Sequence, residues 1–330
     1  DSDDDGLLDG VETNTRTFVN ANDTGTDPLD TDSDDDSIFD GAEVTAGLDP
    51  TVTDSADSDD LTWTIIDGEV RITDCNETAA GNLVIPATID DNPVTSIGNK
   101  AFYGCNYLTN VMIPESVTTL GNLAFFGCSS LASIEIPKGV TNISAGAFRG
   151  CSSLASIEIP EGVTNIPAGA FRGCSSLTSV MIPERVTNLG TDAFRGCSSL
   201  ANVTIPESVT TLGDGVFFNC TSLTSIEIPD SVTSMGTYVL GLCENLTEVT
   251  LGSGVTDLRD GFFRWCRTLT RVIFSGPAPT VVGSNVFDGL PEEAVVIVSG
   301  EEHASFGDVG ADWNGLSIVC NSSALCWLTW

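Results

Sequence analysis

Residues 163–183 read V-T-N-I-P-A-G-A-F-R-G-C-S-S-L-T-S-V-M-I-P. The pattern returns 23 residues earlier and 23 later. Its cysteine keeps that interval without a slip, at Cys105, Cys128, Cys151, Cys174, Cys197, Cys220, Cys243 and Cys266. A fixed period of roughly 20–30 residues marks a solenoid, in which one unit buries its apolar face only by stacking on its neighbours. Apolar columns run outward from this stretch in both directions. One runs from Val94 to Val255, one from Leu108 to Leu269, and one from Ile113 to Phe274. Another holds Phe102, Phe125, Phe148, Phe171, Phe194 and Phe217, then Leu240 and Phe263. In residues 154–160 (L-A-S-I-E-I-P), alternation buries Ile157 and Ile159, turns Ser156 and Glu158 outward, and ends at proline. Stacked turn on turn, these strands form a parallel ladder at about 4.8 Å per rung, roughly 40 Å long. The expected fold is an α/β-type solenoid, mostly β and loop, of 23-residue turns.

The pattern I-P-x-x-V-T-x-I/L-G-x-x-A-F-x-G-C-x-x-L-x-x-V/I resembles the BspA-like leucine-rich repeat across residues 61–319. The resemblance includes F-S-G-P-A-P at 274–279. It implies a secreted or cell-surface protein associated with adhesion and protein binding, with no general catalytic site. Four segments are expected. Residues 1–60 are an acidic module, 61–84 a capping hairpin turning at Asp67-Gly68, 85–274 the array, and 275–330 a degenerate last turn and tail. Residues 87–93 read as an insertion. Gly252, Arg259 and Ser275 depart from the repeat, as if it were fading toward a cap. The apolar tail L-C-W-L-T-W (325–330) is expected to fold over the last turn or to dock into another molecule.

The charge is extreme and uneven. The chain carries a formal −35, and its first sixty residues hold 20 acids against the single base Arg16. Such a field disfavours nucleic acid and anionic membranes as partners. No run of 18 apolar residues marks a membrane span. The chain begins inside a motif at Asp1, which reads as a processed piece of a longer secreted precursor.

Residues 1–12, D-S-D-D-D-G-L-L-D-G-V-E, have the frame of a calcium loop. Asp1, Asp3, Asp5, the Leu7 carbonyl, Asp9 and Glu12 fall at the ligand positions, with Gly6 at the sharp turn. Residues 32–43 repeat it with Asp32, Asp34, Asp36, the Ile38 carbonyl, Asp40 and Glu43, and Ser37 replaces the glycine. The bland reading is an acidic linker, but random acidity would not repeat the frame. The segment resembles thrombospondin type 3 repeats, which implies calcium as the bound ion. So many carboxylates repel one another without it, so order is expected to depend on the metal.

The ladder cysteines recur one position type per turn and read as small buried groups with reduced thiols. Cys320 and Cys326 stand apart and are expected to form a bridge, leaving Cys75 unpaired. Zinc is not expected, for want of a CxxC or histidine cluster. His303 is the only histidine. No nucleophile–base pair can be assembled, and Glu135 and Glu158 read as a solvated face rather than a hydrolytic pair. An enzyme is therefore not expected.

The candidate binding face is the outward side of the strands: Ser133, Glu135, Ser156, Glu158, Ser179, Met181, Asn202, Thr204, Ser225 and Glu227. A basic stripe at Arg149, Arg172, Arg195 and Arg264 lies on another flank and reads either as scattered arginines or as a dock for an acidic partner. Two functions follow. One is a calcium-binding extracellular or cell-surface adhesion protein that binds a protein or glycan. The other is a homopolymer, a filament joined end to end through the calcium module and the tail.

Overall fold

The computed structural model describes residues 60–298, 303–307 and 310–320. The two calcium-type loops lie outside these residues, as do the tail and Cys326, and with Cys326 the bridge expected to Cys320. Among the described residues no helix is long and apolar enough to cross a membrane.

Each 23-residue turn bonds its neighbour along three edges. The first edge is the expected parallel ladder. Ala80–Val84, Tyr107–Met112 and Ser133–Glu135 pair in order, with Val111 opposite Ile134. Ser179–Met181 pairs with Asn202–Thr204. A longer run joins Ser225–Ile228, Glu248–Leu251, Arg271–Phe274, Val295–Val298 and Leu316–Cys320. Over residues 154–160 the strand lapses to one bridge, Glu158 with Met181. Even there the Ala155 amide donates to the Ala132 carbonyl (3.3 Å), and the Thr178 amide to that of Ala155 (3.1 Å).

The second edge is a ladder that sequence periodicity does not reveal. Thr119–Leu120 pairs with Asn142–Ile143, and Asn165–Ile166, Asn188–Leu189, Thr211–Leu212 and Ser234–Met235 stack in order. Two-residue strands leave no alternation to detect. The third edge runs through the A-F-x-G segments. The Phe125 amide donates to the Ala147 carbonyl at 2.8 Å, Phe148 to Ala170 at 2.9 Å, and Phe171 to Ala193 at 2.9 Å. With three edges paired, the tightly wound backbone keeps its polar groups satisfied while its side chains fill the interior.

That interior is the set of columns read from the sequence. Phe102 through Phe217 are fully buried and stack face to face, with centroids 4.8–5.6 Å apart and planes within 11° of parallel. Burying each ring stabilises the fold by roughly 1.5–3 kcal/mol. The cysteine column has a second duty. Each Phe carbonyl accepts the amide of its own turn's cysteine, as Cys151 does to Phe148 (3.2 Å). It also accepts the thiol of the cysteine one turn on, as from Cys174 Sγ to Phe148 O (3.1 Å) and Cys197 Sγ to Phe171 O (3.2 Å). A small side chain with a weak donor fits there. Cys75 and the eight ladder cysteines are free, buried thiols. Burial pushes Cys197 and Cys266 up to about 12. The serines after the cysteines also work for the stack: Ser152, Ser175 and Ser198 Oγ donate to the Ser129, Ser152 and Ser175 carbonyls.

The ends of the array differ from its middle. Leu61–Ile66 and Glu69–Cys75 form an antiparallel hairpin about Asp67 and Gly68, both at positive φ, and the second strand opens the two-residue ladder through Asn92–Ile97. The insertion at 87–93 folds as a smaller hairpin, Thr88–Ile89 against Asn92–Ile97. Ala80–Val84, inside the segment expected to cap, is already a rung of the main ladder.

At the far end the expected fading is corrected. Earlier turns stop their strands at proline, which has no amide to donate. Gly252 and Ser275 stand where those prolines stood. Their amides donate to the Ile228 carbonyl (2.8 Å) and the Leu251 carbonyl (2.9 Å). The ladder lengthens instead of dissolving. It closes on a hairpin of Asp312–Trp313 with Leu316–Cys320, where Trp313 packs edge-on against Phe274, Phe287 and Phe306.

Candidate binding surfaces

The strand ladder sets the first surface. Its outward side chains stand in register, Met112 beside Glu135, Met181 beside Thr204, Glu227 beside Thr250. All ten residues expected on this face, from Ser133 and Glu135 to Ser225 and Glu227, are exposed. Met181 is the most open apolar side chain there, 76% exposed. The structure brings six of the ten to two adjoining clefts. Ser179, Met181, Asn202 and Thr204 edge one of about 420 Å³. Asn202, Thr204, Ser225 and Glu227 line the next, about 260 Å³. Ser133, Glu135, Ser156 and Glu158 lie on the same face and border neither. The carboxylates of Glu135 and Glu158 have no hydrogen-bond partner among the described residues. Among the described residues no group of three or more His, Cys, Asp and Glu could hold a metal ion.

The second surface lies on the third edge, where the expected basic stripe sits. Arg149, Arg172 and Arg195 fall one turn apart and Arg264 three turns further on, but the stripe is not freely basic. Arg172 and Arg195 share Asp192, at 2.5 and 3.3 Å, and Arg264 pairs with Asp288 at 3.2 Å. Only Arg149 of the four has no carboxylate partner among the described residues, and it lies over the Phe126 ring. Two columns on this flank turn through the left-handed backbone region. One holds Gly104, Gly127, Gly150, Gly173 and Gly196, then Asn219, Leu242 and Trp265; the other runs Lys100, Leu123, Gly146, Gly169, Asp192, Gly215, Tyr238 and Gly261. Glycine adopts positive φ freely. A bulky residue there costs roughly 1–2 kcal/mol. Bulky residues hold that bend at Lys100 (φ 62°) and Leu123 (φ 55°) early in the array and at Tyr238 (φ 55°), Leu242 (φ 59°) and Trp265 (φ 63°) late in it.

The same turns hold a cleft of about 370 Å³ lined by Asp192, Arg195, Asp214, Phe218, Tyr238, Arg264 and Trp265. Arg195 lies 4.3 Å from the Phe218 centroid, Arg264 4.2 Å from that of Trp265, and Phe218 meets Tyr238 edge-on at 6.3 Å. Asp214 is exposed; its Oδ1 accepts the Thr237 amide and hydroxyl. Its Oδ2 accepts nothing from the described residues. Sequence reasoning weighed the arginines of this flank and missed its rings. The available signal was a break in the repeat: A-G-A-F-R-G-C becomes T-Y-V-L-G-L-C at 237–243 and D-G-F-F-R-W-C at 260–266.

Known proteins resemble this chain chiefly through the repeat. The T. pallidum leucine rich repeat protein is 26% identical over 80% of this chain and 99% of its own, with a TM-score of 0.39. A leucine rich cell surface protein from Faecalibacterium prausnitzii is 23% identical over 83% of this chain and 96% of its own, with a TM-score of 0.45. A leucine-rich repeat protein from Bacteroides ovatus is 25% identical over 80% of this chain and 88% of its own, with a TM-score of 0.39. No curated protein matches. The family model for the BspA type leucine rich repeat region matches in six copies, over residues 82–200 and 164–292. With that repeat spanning most of its length, the chain belongs to the BspA type leucine-rich-repeat family.

Proposed function

We propose that this chain is an extracellular interaction scaffold. Its first sixty residues bind calcium and act as a stiffened spacer, and its array holds a partner on the strand face in adhesion. The observation that carries this is the division within each turn. The interior is filled with core columns, and the outward strand positions remain in register as open clefts around Met181, Asn202 and Thr204. The side chains of Met181, Asn202 and Thr204 carry none of the array's hydrogen bonds to neighbouring turns, unlike Ser133, which donates to Asn110, and Glu248, which accepts from Arg271, so these three are available to a ligand. The small polar and acidic character of the face suits a cationic or polar protein surface.

The test uses the intact chain in two assays. Binding to a panel of purified extracellular proteins is expected to be saturable, and a paired S179R/N202R variant is expected to lose it with the fold unchanged by circular dichroism. If the double variant binds as well as the parent, the strand face is not the surface. In a calcium titration, E12A and E43A are each expected to remove part of the bound calcium. Absence of binding by the parent chain sinks the spacer role.

A second reading, an end-to-end filament, is favoured by one feature. The 20 acids of the first sixty residues precede the array in sequence, and the apolar 325–330 segment follows it. Negative-stain microscopy with light scattering, in calcium and then in chelator, separates the two. Filaments that dissolve on chelation favour assembly, and monomers in both conditions favour the scaffold.

A further inference from the structure

We infer that the flank cleft between Asp192 and Trp265 is a second binding site, and that it takes a neutral glycan. The inference rests on the reading of the chain as an extracellular binding scaffold and adds a surface which that reading does not use.

Position comes first. The cleft crosses four successive turns, at Asp192–Arg195, Asp214–Phe218, Thr237–Tyr238 and Arg264–Trp265. At about 4.8 Å per rung that is a groove roughly 14 Å long. Its volume of about 370 Å³ falls within the usual range for ligand pockets. A groove of this length suits several linked sugar rings better than one small molecule.

Charge decides the ligand class. Two carboxylates, Asp192 and Asp214, face two guanidinium groups, Arg195 and Arg264. The cleft is neutral within a chain of formal charge −35. An anion gains no net local charge and meets the repulsion of the whole chain. A cation would normally seek aromatic faces, but at Phe218 and Trp265 it would be repelled by the Arg195 and Arg264 guanidinium groups that lie over those rings. The site therefore offers strong donors, strong acceptors and ring surface without a net charge to match. The Oδ2 of Asp214 is an open acceptor, and Trp265 is 38% exposed. A saccharide presents hydroxyls that both donate and accept, beside apolar C–H faces that pack on rings, and it is neutral.

Strain gives the independent support. In the column that leads to Leu242 and Trp265, glycine makes the left-handed bend without cost at every turn from Gly104 to Gly196; in the column of Tyr238, glycines already share the bend with Lys100, Leu123 and Asp192. At Tyr238, Leu242 and Trp265 the chain keeps bulky residues in that bend, and two of the three are walls of the cleft. Backbone strain held at one surface patch marks a place where the side chain presented matters more than the ease of the turn.

The experiment is isothermal titration of the intact chain with maltohexaose, cellohexaose, chitohexaose and mannohexaose. Hexalysine and hexaglutamate serve as charged controls. At least one hexasaccharide is expected to bind saturably at one site. W265L is expected to weaken that binding at least tenfold. The exposed D214N change, which leaves the core untouched, is expected to weaken it several-fold and covers the case in which W265L fails to fold. Failure of all four hexasaccharides to bind overturns the proposal, as does undiminished binding by D214N together with a folded W265L. Tighter binding of either charged peptide at this cleft overturns the ligand class. If no saccharide binds while the strand face still captures a protein, only the glycan cleft falls and the scaffold reading stands.

Discussion

The strand face and the ringed flank are built from the same turns, yet they use the repeat in opposite ways. On the strand face, Ser133, Ser156, Ser179, Asn202 and Ser225 hold one exposed column with little variation in size. On the flank, glycines at 150, 173 and 196 give way to Asn219, Leu242 and Trp265 at the same bend. Asp192 stands where the two flank characters meet. Above it, a cleft of about 330 Å³ is walled by Leu123, Gly146, Arg149, Gly169 and Arg172, without an aromatic ring; below it, the walls include Phe218, Tyr238 and Trp265. Positions that keep the repeat report the demands of stacking. Positions that break it at a conformational cost report a demand made on the surface.

Four experiments break or sharpen that contrast. The largest effect is expected from alkali, because both surfaces rest on one cysteine-lined interior. Cys197 and Cys266 have folded values raised by burial from the usual 9.0 to about 12. The folded state thus holds those protons more tightly than the unfolded state. Its advantage is fully present below pH 9 and is lost as pH rises from 9 toward 12. Circular dichroism should show one cooperative loss of structure in that window. Two separate transitions would mean that face and flank are not one body.

Next is the core beneath both. Phe171 is fully buried between Phe148 and Phe194, so F171A is expected to cost about 3–5 kcal/mol in urea unfolding. A cost below about 1 kcal/mol would mean the stack closes over the gap and the columns are not what hold the turns.

The third experiment isolates the bend. Gly173 has φ 76°, and an added Cβ would meet only the Gly150 backbone at 3.8 Å, an ordinary contact. G173A therefore carries the conformational cost alone, about 1–2 kcal/mol. If it is neutral, strain on the flank is no argument for function.

The smallest effect belongs to the strand face. M181A removes a side chain that is 76% exposed, and stability should stay within about 0.5 kcal/mol of the parent. A larger loss would show that this face serves the fold and is not free to bind.

Much of the fold is legible in the sequence because it is written in columns. Phe102, Val117, Leu131 and Ile134 recur at fixed intervals, and each is buried in the array. The hairpin at Asp67-Gly68 is equally direct, since its turn residues are adjacent. Contacts between turns are harder to read. The thiol of Cys174 meets a carbonyl 26 residues away, and the Ser175 hydroxyl one 23 residues away. Period alone shows that these residues stack, not that they donate. The two-residue ladder is invisible to alternation. Gly252 and Ser275 look like decay in a pattern search, although restoring an amide lengthens the strands. The flank cleft gathers Asp192, Asp214, Tyr238 and Trp265 from four turns. Only the three-dimensional register puts them side by side.

The most direct test of the contrast is hydrogen exchange by mass spectrometry on the intact chain, with and without the hexasaccharide that binds it best. The account predicts protection in the peptides around Asp192–Arg195, Asp214–Phe218, Thr237–Tyr238 and Arg264–Trp265. Exchange across Ser179–Met181, Asn202–Thr204 and Ser225–Ile228 should be unchanged. Protection along those strands, with the flank unaltered, would contradict it.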